Sequence, residues 1–560
     1  MVLILFVLLI YQVFFIPQKE PPRAPEGTQA TETARGMQGT PGTQASQATQ
    51  AAVPEGGEAP RDTSGAGLSQ ATLSVNEGPA KEVVVRAPLY TVKFSSRGGV
   101  ITSFRLNRYL SGKEEPVELV PPAEAQPFGM ALLTKSGDRI DLTRAAFTVS
   151  SESLSVQAGA EASLDFVLTT AEGLTVTRTC TFKGDTYTIM VDLAVTGPGS
   201  ETVRAMEFGW QSGLEATEVN RNDDLRNFAS ITLIDQGLVK SDLGRIKKNR
   251  TVSMGGAIKW SGLRTKYFLA SFVPPEGTSV VARAFPGAAE AIGMMLEAET
   301  SGGKPLSFMV YVGPLDYQAL KALGHGLEKA VDFGWKWIRP LSKLIFAFMI
   351  FCHKVIPNYG WVIIILSALT KLLFHPLTQK SMKSMRQMQK VQPEIAALRE
   401  KHKKDPQNLN KAIMELYRKR GVNPMGGCLP LVLQMPVFIA LFNVLQKTIE
   451  LRRAEFIFWI NDLSAPDQIA TLPFSLPFIG SAVSLLPILM GIAMFVQQKM
   501  TTSDPKQAMM TYLLPIVFTI MFFKFPSGLV LYWLVNNVLT IAHQYYLTRS
   551  DRMEQQQAQT

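Results

Sequence analysis

The chain has 560 residues, 18% of them charged, a net charge of +10 and a slightly positive mean hydropathy of +0.10. Its apolar residues concentrate at the N-terminus and after Trp335, whereas about Pro17 to Gly334 reads as water-soluble; this excludes a wholly soluble protein and makes the last third membrane-embedded. Three cysteines, Cys180, Cys352 and Cys428, lie far apart and form no disulfide framework, redox motif or metal-ligand pattern.

Met1 to Ile16 is apolar except for Tyr11 and Gln12. No basic segment precedes it and no small-x-small site or cysteine follows, so an uncleaved anchor is favoured over a signal peptide. Sixteen residues fall short of the ~20 a spanning helix needs, so this is either a short anchor or a clipped start. Residues 17–80 are rich in Pro, Gly, Thr, Gln and Ala and bury too little surface to offset ordering entropy, so they are predicted to be a disordered tether.

From Lys81 the pattern changes to period two. Leu174, Val176, Cys180 and Phe182 share one face, with Thr175, Thr177, Thr179 and Thr181 on the other. Tyr187, Ile189, Val191, Leu193 and Val195 alternate in the same way. Such alternation marks half-buried antiparallel strands, and its repetition predicts one large β-sandwich over 81–318.

After Gly313-Pro314 the spacing turns helical. Trp335 and Trp337 with Lys336, Arg339 and Lys343 predict amphipathic helices lying in the membrane interface over 319–358, with Pro340 breaking any straight span. An ordinary spanning helix from Leu341 to Ile356 is the alternative. Five spans follow: Tyr359–Phe374, Leu429–Leu451, Leu476–Val496, Thr511–Phe525 and Leu529–Leu547.

Between the first two of these, residues 376–430 carry twelve Lys or Arg against four acidic residues, which leaves +8. The positive-inside rule puts this loop in the cytoplasm. With the anchor counted, six spans then place both termini inside and the β-region outside. Within the loop, Met388, Val391, Ile395 and Leu398, and then Leu409, Ile413 and Leu416, form two helical seams. Asp405-Pro406 starts the second helix as N-cap and first-turn proline, so a helical hairpin is predicted over 376–429.

Several motifs resemble those of the YidC/Oxa/Alb insertases. Tyr359-Gly360, Ile363-Ile364-Ile365, Thr370-Lys371 and Pro376-Leu377-Thr378 resemble the family's second span. Gly421 to Pro430, continuing to Gln434-Met435-Pro436, is similar to its entry into span three, and Phe525 to Trp533 to its link between spans five and six. The resemblance implies a membrane α-helical fold of six spans, five of them an insertase core over 359–547, plus the periplasmic all-β sandwich of the Gram-negative form. The remaining 548–560 would be a cytoplasmic tail.

It further implies an inner-membrane insertase and chaperone without cofactor, whose partners are nascent membrane proteins, the ribosome, the Sec translocon and lipids. Its groove would be open to cytoplasm and lipid and closed outside, with one basic residue facing it. Here that residue is Lys371, where the family usually has Arg; lysine keeps the point charge and loses the planar fork. Ser367, Thr370, Gln434, Tyr532, Asn536 and Asn537 are the other groove candidates. Lys380, Lys383, Arg386, Lys390, Arg399, Lys401, Lys403 and Lys404 are those for ribosome or substrate docking on the hairpin.

Blander readings stand beside these. A lysine in a span is by default functional, yet Lys371 lies four residues before His375 and could snorkel to the interface. Gln434, Asn443, Gln446, Thr519, Asn536, Asn537 and Thr540 could each merely join helices. A solute channel would want an intramembrane acid or an internal repeat; the five spans carry no Asp or Glu inside their apolar cores, and no repeat is found. A sugar-binding or sugar-processing β-domain would lack histidine, since His325, His353, His375, His402 and His543 all lie outside the strands; carboxylates such as Asp165, Asp185, Asp192, Asp223 and Asp224 would have to serve.

Overall fold

The computed structural model describes residues 80–112, 114–122, 127–287, 290–300, 304–403, 405–422, 429–476, 480–501 and 508–557. The expected anchor, nearly all of the tether, Lys404 and the stretch Asn423 to Cys428 lie outside the described residues.

The β-region contains sheets of nine, six and five strands. In Thr175–Lys183, buried residues alternate with half-buried ones, and the strand pairs antiparallel with Glu161–Thr169 and Thr188–Thr196. Aromatic rings tie the sheets into one core. Phe208 of the six-stranded sheet packs on Phe272 and Phe308 of the nine-stranded sheet at 5.3 and 5.6 Å between centroids. Phe94 of the five-stranded sheet meets Phe128 and Phe166. Each such side chain contributes about 1.5–3 kcal/mol when fully buried.

One residue departs from the alternation as read. Arg178 lies on the apolar face with Val176, Cys180 and Phe182 and is fully buried. Its guanidinium donates to the carbonyls of Gly99 (2.6 Å) and Gly98 (3.3 Å) and lies about 6 Å from the ring centroids of Phe147, Phe166 and Phe208. Burial pushes its pKa down to about 10. Gly99, at φ +57°, leaves room for it: a Cβ there would come within 3.1 Å of the guanidinium.

After a short helix Tyr317–Leu323, capped by Asp316, eight helices follow: α1 (Arg339–His353), α2 (Tyr359–Leu373), α3 (His375–Lys401), α4 (Pro406–Lys419), α5 (Leu429–Lys447), α6 (Leu486–Thr501), α7 (Ala508–Phe522) and α8 (Ser527–Gln557). As expected, no helix runs straight through Pro340. It sits in the first turn of α1, where the missing N–H has no partner to lose. Ser342, Ile345, Phe346 and Met349 form the buried face of α1, which packs on α2 and α5, while Leu344 and Phe351 stay exposed.

In the hairpin, Asp405 caps α4 by accepting from the Asn408 amide, and Arg420 joins α4 to Glu394 of α3 at 2.7 Å. Val391 and Ile395 are buried in its seam. Among the described residues no single helix is both long and apolar enough to cross a membrane; α2 and α3, bent by 61° at their junction, pass that test together.

The span expected over Leu476–Val496 is corrected. Gln468–Leu476 and Gly480–Ser484 pair as a two-stranded hairpin, and α6 starts only at Leu486. The neighbouring helices also end differently: α5 stops at Lys447, and α7 at Phe522 instead of Phe525. There Ser527 opens α8, its amide donating to the carbonyl of Ala465 and its hydroxyl to that of Asp462.

The β-region is bonded to the periphery of the helices. The Tyr267 hydroxyl donates to the carbonyl of Gln446 at 3.1 Å, and Lys447 pairs with Asp332 at 2.9 Å. Burial alone would raise the Asp332 carboxyl; Lys447 and Arg264 outweigh it and hold the group well below the usual carboxylate range.

Candidate functional site

Helix α2 begins where the Asn358 side chain accepts from the amides of Gly360 and Trp361, which sets its rotation. Ser367, Thr370 and Lys371 then fall on the side that packs against α8. Ser367 is fully buried and its hydroxyl donates to the Ile363 carbonyl at 2.8 Å; Thr370 is also buried and donates to Ser367 O at 2.9 Å. Such back-bonding satisfies polar side chains inside an apolar helix.

On α8, Tyr532, Asn536 and Thr540 recur every four residues and so stack on one face. Lys371 Nζ donates to Thr540 Oγ1 at 2.6 Å, and Thr540 in turn donates to the Asn536 carbonyl at 2.6 Å. The Tyr532 hydroxyl lies 3.5 Å from that of Thr370 and 3.4 Å from Gln434 Nε2 of α5. Asn536 and Asn537 are buried, and Asn537 Nδ2 has no protein partner.

The seam between α2 and α8 therefore gathers Ser367, Thr370, Lys371, Tyr532, Asn536 and Thr540, with Gln434 reaching in from α5; Asn537 is buried beside it, one position off the Tyr532–Asn536–Thr540 face. Lys371 is half-buried in the last turn of α2, beside the exposed Leu372 and Leu373, and a cation there also complements the helix C-terminus. Two histidines that the sequence left unplaced meet near it: the rings of His375 and His543 are 4.9 Å apart. Their only sequence signal is spacing, since His543 is three residues beyond Thr540.

Other polar residues are not brought into this seam. Asn443 donates to the Ile439 carbonyl and lies against Gly334, and Thr519 donates to Pro515 O beside Gly491. In the β-domain Asp165 accepts from Thr179, Asp223 pairs with Lys266, and the buried Asp224 accepts from the amides of Thr217 and Lys266. On the hairpin, Lys380, Lys383, Lys390, Lys401 and Lys403 are exposed, whereas Arg386 and Arg399 are half-buried.

Comparison with known proteins agrees with this division. The sequence profile described as 60Kd inner membrane protein matches residues 351–556, and that of the YidC periplasmic domain matches 82–348. A membrane protein insertase YidC of Prosthecochloris aestuarii is 35% identical over 494 residues, covering 85% of this chain and 84% of that one. One from Citrifermentans bemidjiense is 39% identical over 482 residues, covering 84% and 86%. A crystal structure of an active YidC insertase aligns over 85% of this chain and 96% of its own at 20% identity and TM-score 0.38.

Fold and matches together define a bacterial inner-membrane protein with a periplasmic β-sandwich domain. The chain belongs to the YidC family of membrane protein insertases.

Proposed function

We propose that this protein transfers hydrophobic segments of nascent proteins from the cytoplasm into the inner membrane along the polar seam of α2 and α8. In this reading it spans the membrane six times, both termini and the α3–α4 hairpin are cytoplasmic, and the β-domain is periplasmic. The observation that carries it is the Lys371 ammonium at 2.6 Å from Thr540, among buried Ser367, Thr370, Asn536 and Asn537.

The chemistry is solvation. A substrate helix partitions into lipid readily, but the short polar or acidic segment ahead of it must cross hydrocarbon at a cost of several kcal/mol. A polar seam with a fixed cation lowers that barrier and draws acidic residues toward it. Helix length helps: α2, with 15 residues, is about 22 Å long, shorter than the ~30 Å hydrocarbon layer, so the bilayer beside it thins. The hairpin docks the ribosome, and the Sec translocon supplies further substrates.

The test is a protease-protection series in proteoliposomes, with substrates differing only in one or two acidic residues of the translocated segment. Lys371→Arg keeps insertion, Lys371→Ala reduces it, and Lys371→Glu reduces it most, selectively for acidic substrates. Equal protection of all substrates by all three variants would remove Lys371 from the mechanism.

A further inference from the structure

The Gln468–Ser484 hairpin takes the place of the start of the span read from sequence over Leu476–Val496 and has no role in the seam. No residue between Gln468 and Ser484 is charged. Its strands pair only with each other, with register irregularities between Gln468 and Ala470 and between Thr471 and Leu476. Ile469 and Phe474 are 46% and 59% exposed. An isolated two-stranded hairpin is marginal in water, and uncharged open edges invite pairing with other chains. Natural proteins often blunt such edges with charge; this one carries none and has only Pro473 and its register irregularities.

The base of the hairpin is nonetheless firmly held. Asp467, the residue before it, is buried, and its Oδ2 accepts from the amides of Leu485 (3.0 Å) and Leu486 (2.7 Å), the residues that lead into α6. The same oxygen accepts from the Trp459 indole at 3.0 Å. One carboxylate thus clips both ends of the hairpin to the start of α6. Exposed aromatics lie at this end of the helices: Phe458, stacked on Trp459; Trp361 in the first turn of α2; and Trp335 and Trp337 just before α1. Tryptophans gathered at one end of a membrane bundle mark the lipid interface.

We infer that the paired strands Gln468–Leu476 and Gly480–Ser484 insert into the headgroup–acyl boundary of the outer leaflet and hold the start of α6 at a fixed depth. The occupant of its exposed face is lipid because the face is uncharged, continuous with an apolar helix and flanked by the aromatic belt. Depth is bounded as well. The unpaired edge N–H and C=O groups of two strands cannot enter the hydrocarbon core, so the hairpin stays at its boundary. The choice of leaflet rests on the topology proposed above; the depth does not.

Spin labels test this without reference to insertion activity. Cysteine is placed at Phe474 or at Ile469, in a background of Cys180→Ala, Cys352→Ala and Cys428→Ala, and the purified chain is reconstituted in phosphatidylethanolamine–phosphatidylglycerol vesicles. Expected is an oxygen-to-nickel-chelate accessibility ratio several-fold above that at the exposed β-domain residue Gln157, and below that at the lipid-facing Ile516 midway along α7. Ratios equal to that at Gln157 overturn the proposal. So does shielding seen in native membranes and lost in the purified vesicles, which would assign the face to a protein partner. Agreement between Phe474→Cys and Ile469→Cys guards against either label disturbing the fold. Adding the chelate to one side only reports the leaflet, so an error in topology and an error in depth give different results.

Discussion

Arg452 and Glu218, 234 residues apart, form a 2.8 Å ion pair in which the Arg452 side chain is only 3% exposed. The guanidinium also lies over the rings of Tyr267 and Phe268. This pair ties the loop after α5 to the β-domain, so the two parts of the chain are joined by a buried charge.

Breaking that pair from one side leaves the other charge desolvated, a loss of about 3–5 kcal/mol. Glu218→Gln is therefore expected to lower the melting temperature of the purified protein and to speed proteolysis at the seam. Replacing both partners by apolar residues recovers much of the loss. A double variant no more stable than Glu218→Gln would show that the pair's charges are not what holds the seam.

Thr540 and Tyr532 differ sharply as partners in the polar seam. The Lys371–Thr540 bond, at 2.6 Å, is short, whereas the approaches of the Tyr532 hydroxyl, at 3.4 and 3.5 Å, lie at the limit of hydrogen bonding. Thr540→Val is expected to remove about 1–3 kcal/mol of stabilisation from the ammonium and to lower insertion measurably. Tyr532→Phe should change insertion little. Rates for the two variants in the protease-protection assay decide this, and the reverse order would show that Tyr532 organises the seam.

Glu450 supplies a pH dependence. It lines a cavity of about 890 Å³ with Arg108, Tyr109, Asp316 and Arg453, and its Oε2 has no protein partner. Burial, with Asp316 adding to it, pushes its carboxyl up to about 8. The folded chain keeps this proton up to about pH 8, while the unfolded chain releases it near the ordinary carboxyl value of about 4.3. Between those values the folded state binds more protons, so stability falls as pH rises through the window. Glu450→Gln should raise the melting temperature at about pH 9 and leave it nearly unchanged at about pH 4. An equal shift at both pH values would exclude the carboxyl as the cause.

On the hairpin, the exposed Lys380, Lys383, Lys390, Lys401 and Lys403 form, with the exposed Lys411 and Lys419, a cationic surface. Ribosome binding through them should weaken steeply with salt. Replacing them by Gln should flatten the log–log salt slope by up to about 0.7–0.9 for each phosphate that is no longer neutralised. Co-sedimentation at several salt concentrations measures it, and an unchanged slope would rule out docking by these side chains.

Periodicity made much of this protein legible in its sequence. The strands Thr175–Lys183 and Thr188–Thr196 were readable because a pleated strand alternates its faces, and the start of α4 because Asp405 and Pro406 carry the cap geometry in their own side chains. Family motifs carried the rest of the helical order. Arg178 escaped because its partners are carbonyls about 80 residues away, supplied by Gly98 and Gly99, so a charged residue on an apolar face had no local explanation. The hairpin's second strand, Gly480–Ser484, was read as the start of the span Leu476–Val496 because an uncharged apolar run looks alike in a helix and in a strand. Asp467, whose one carboxylate oxygen bonds on both sides of the hairpin, decided the matter in three dimensions. Composition likewise made Lys371 conspicuous, since a cation in an apolar segment is costly wherever it points. Only the packing of α2 on α8, which brings together residues 169 positions apart, decided that its ammonium meets Thr540 in a polar seam.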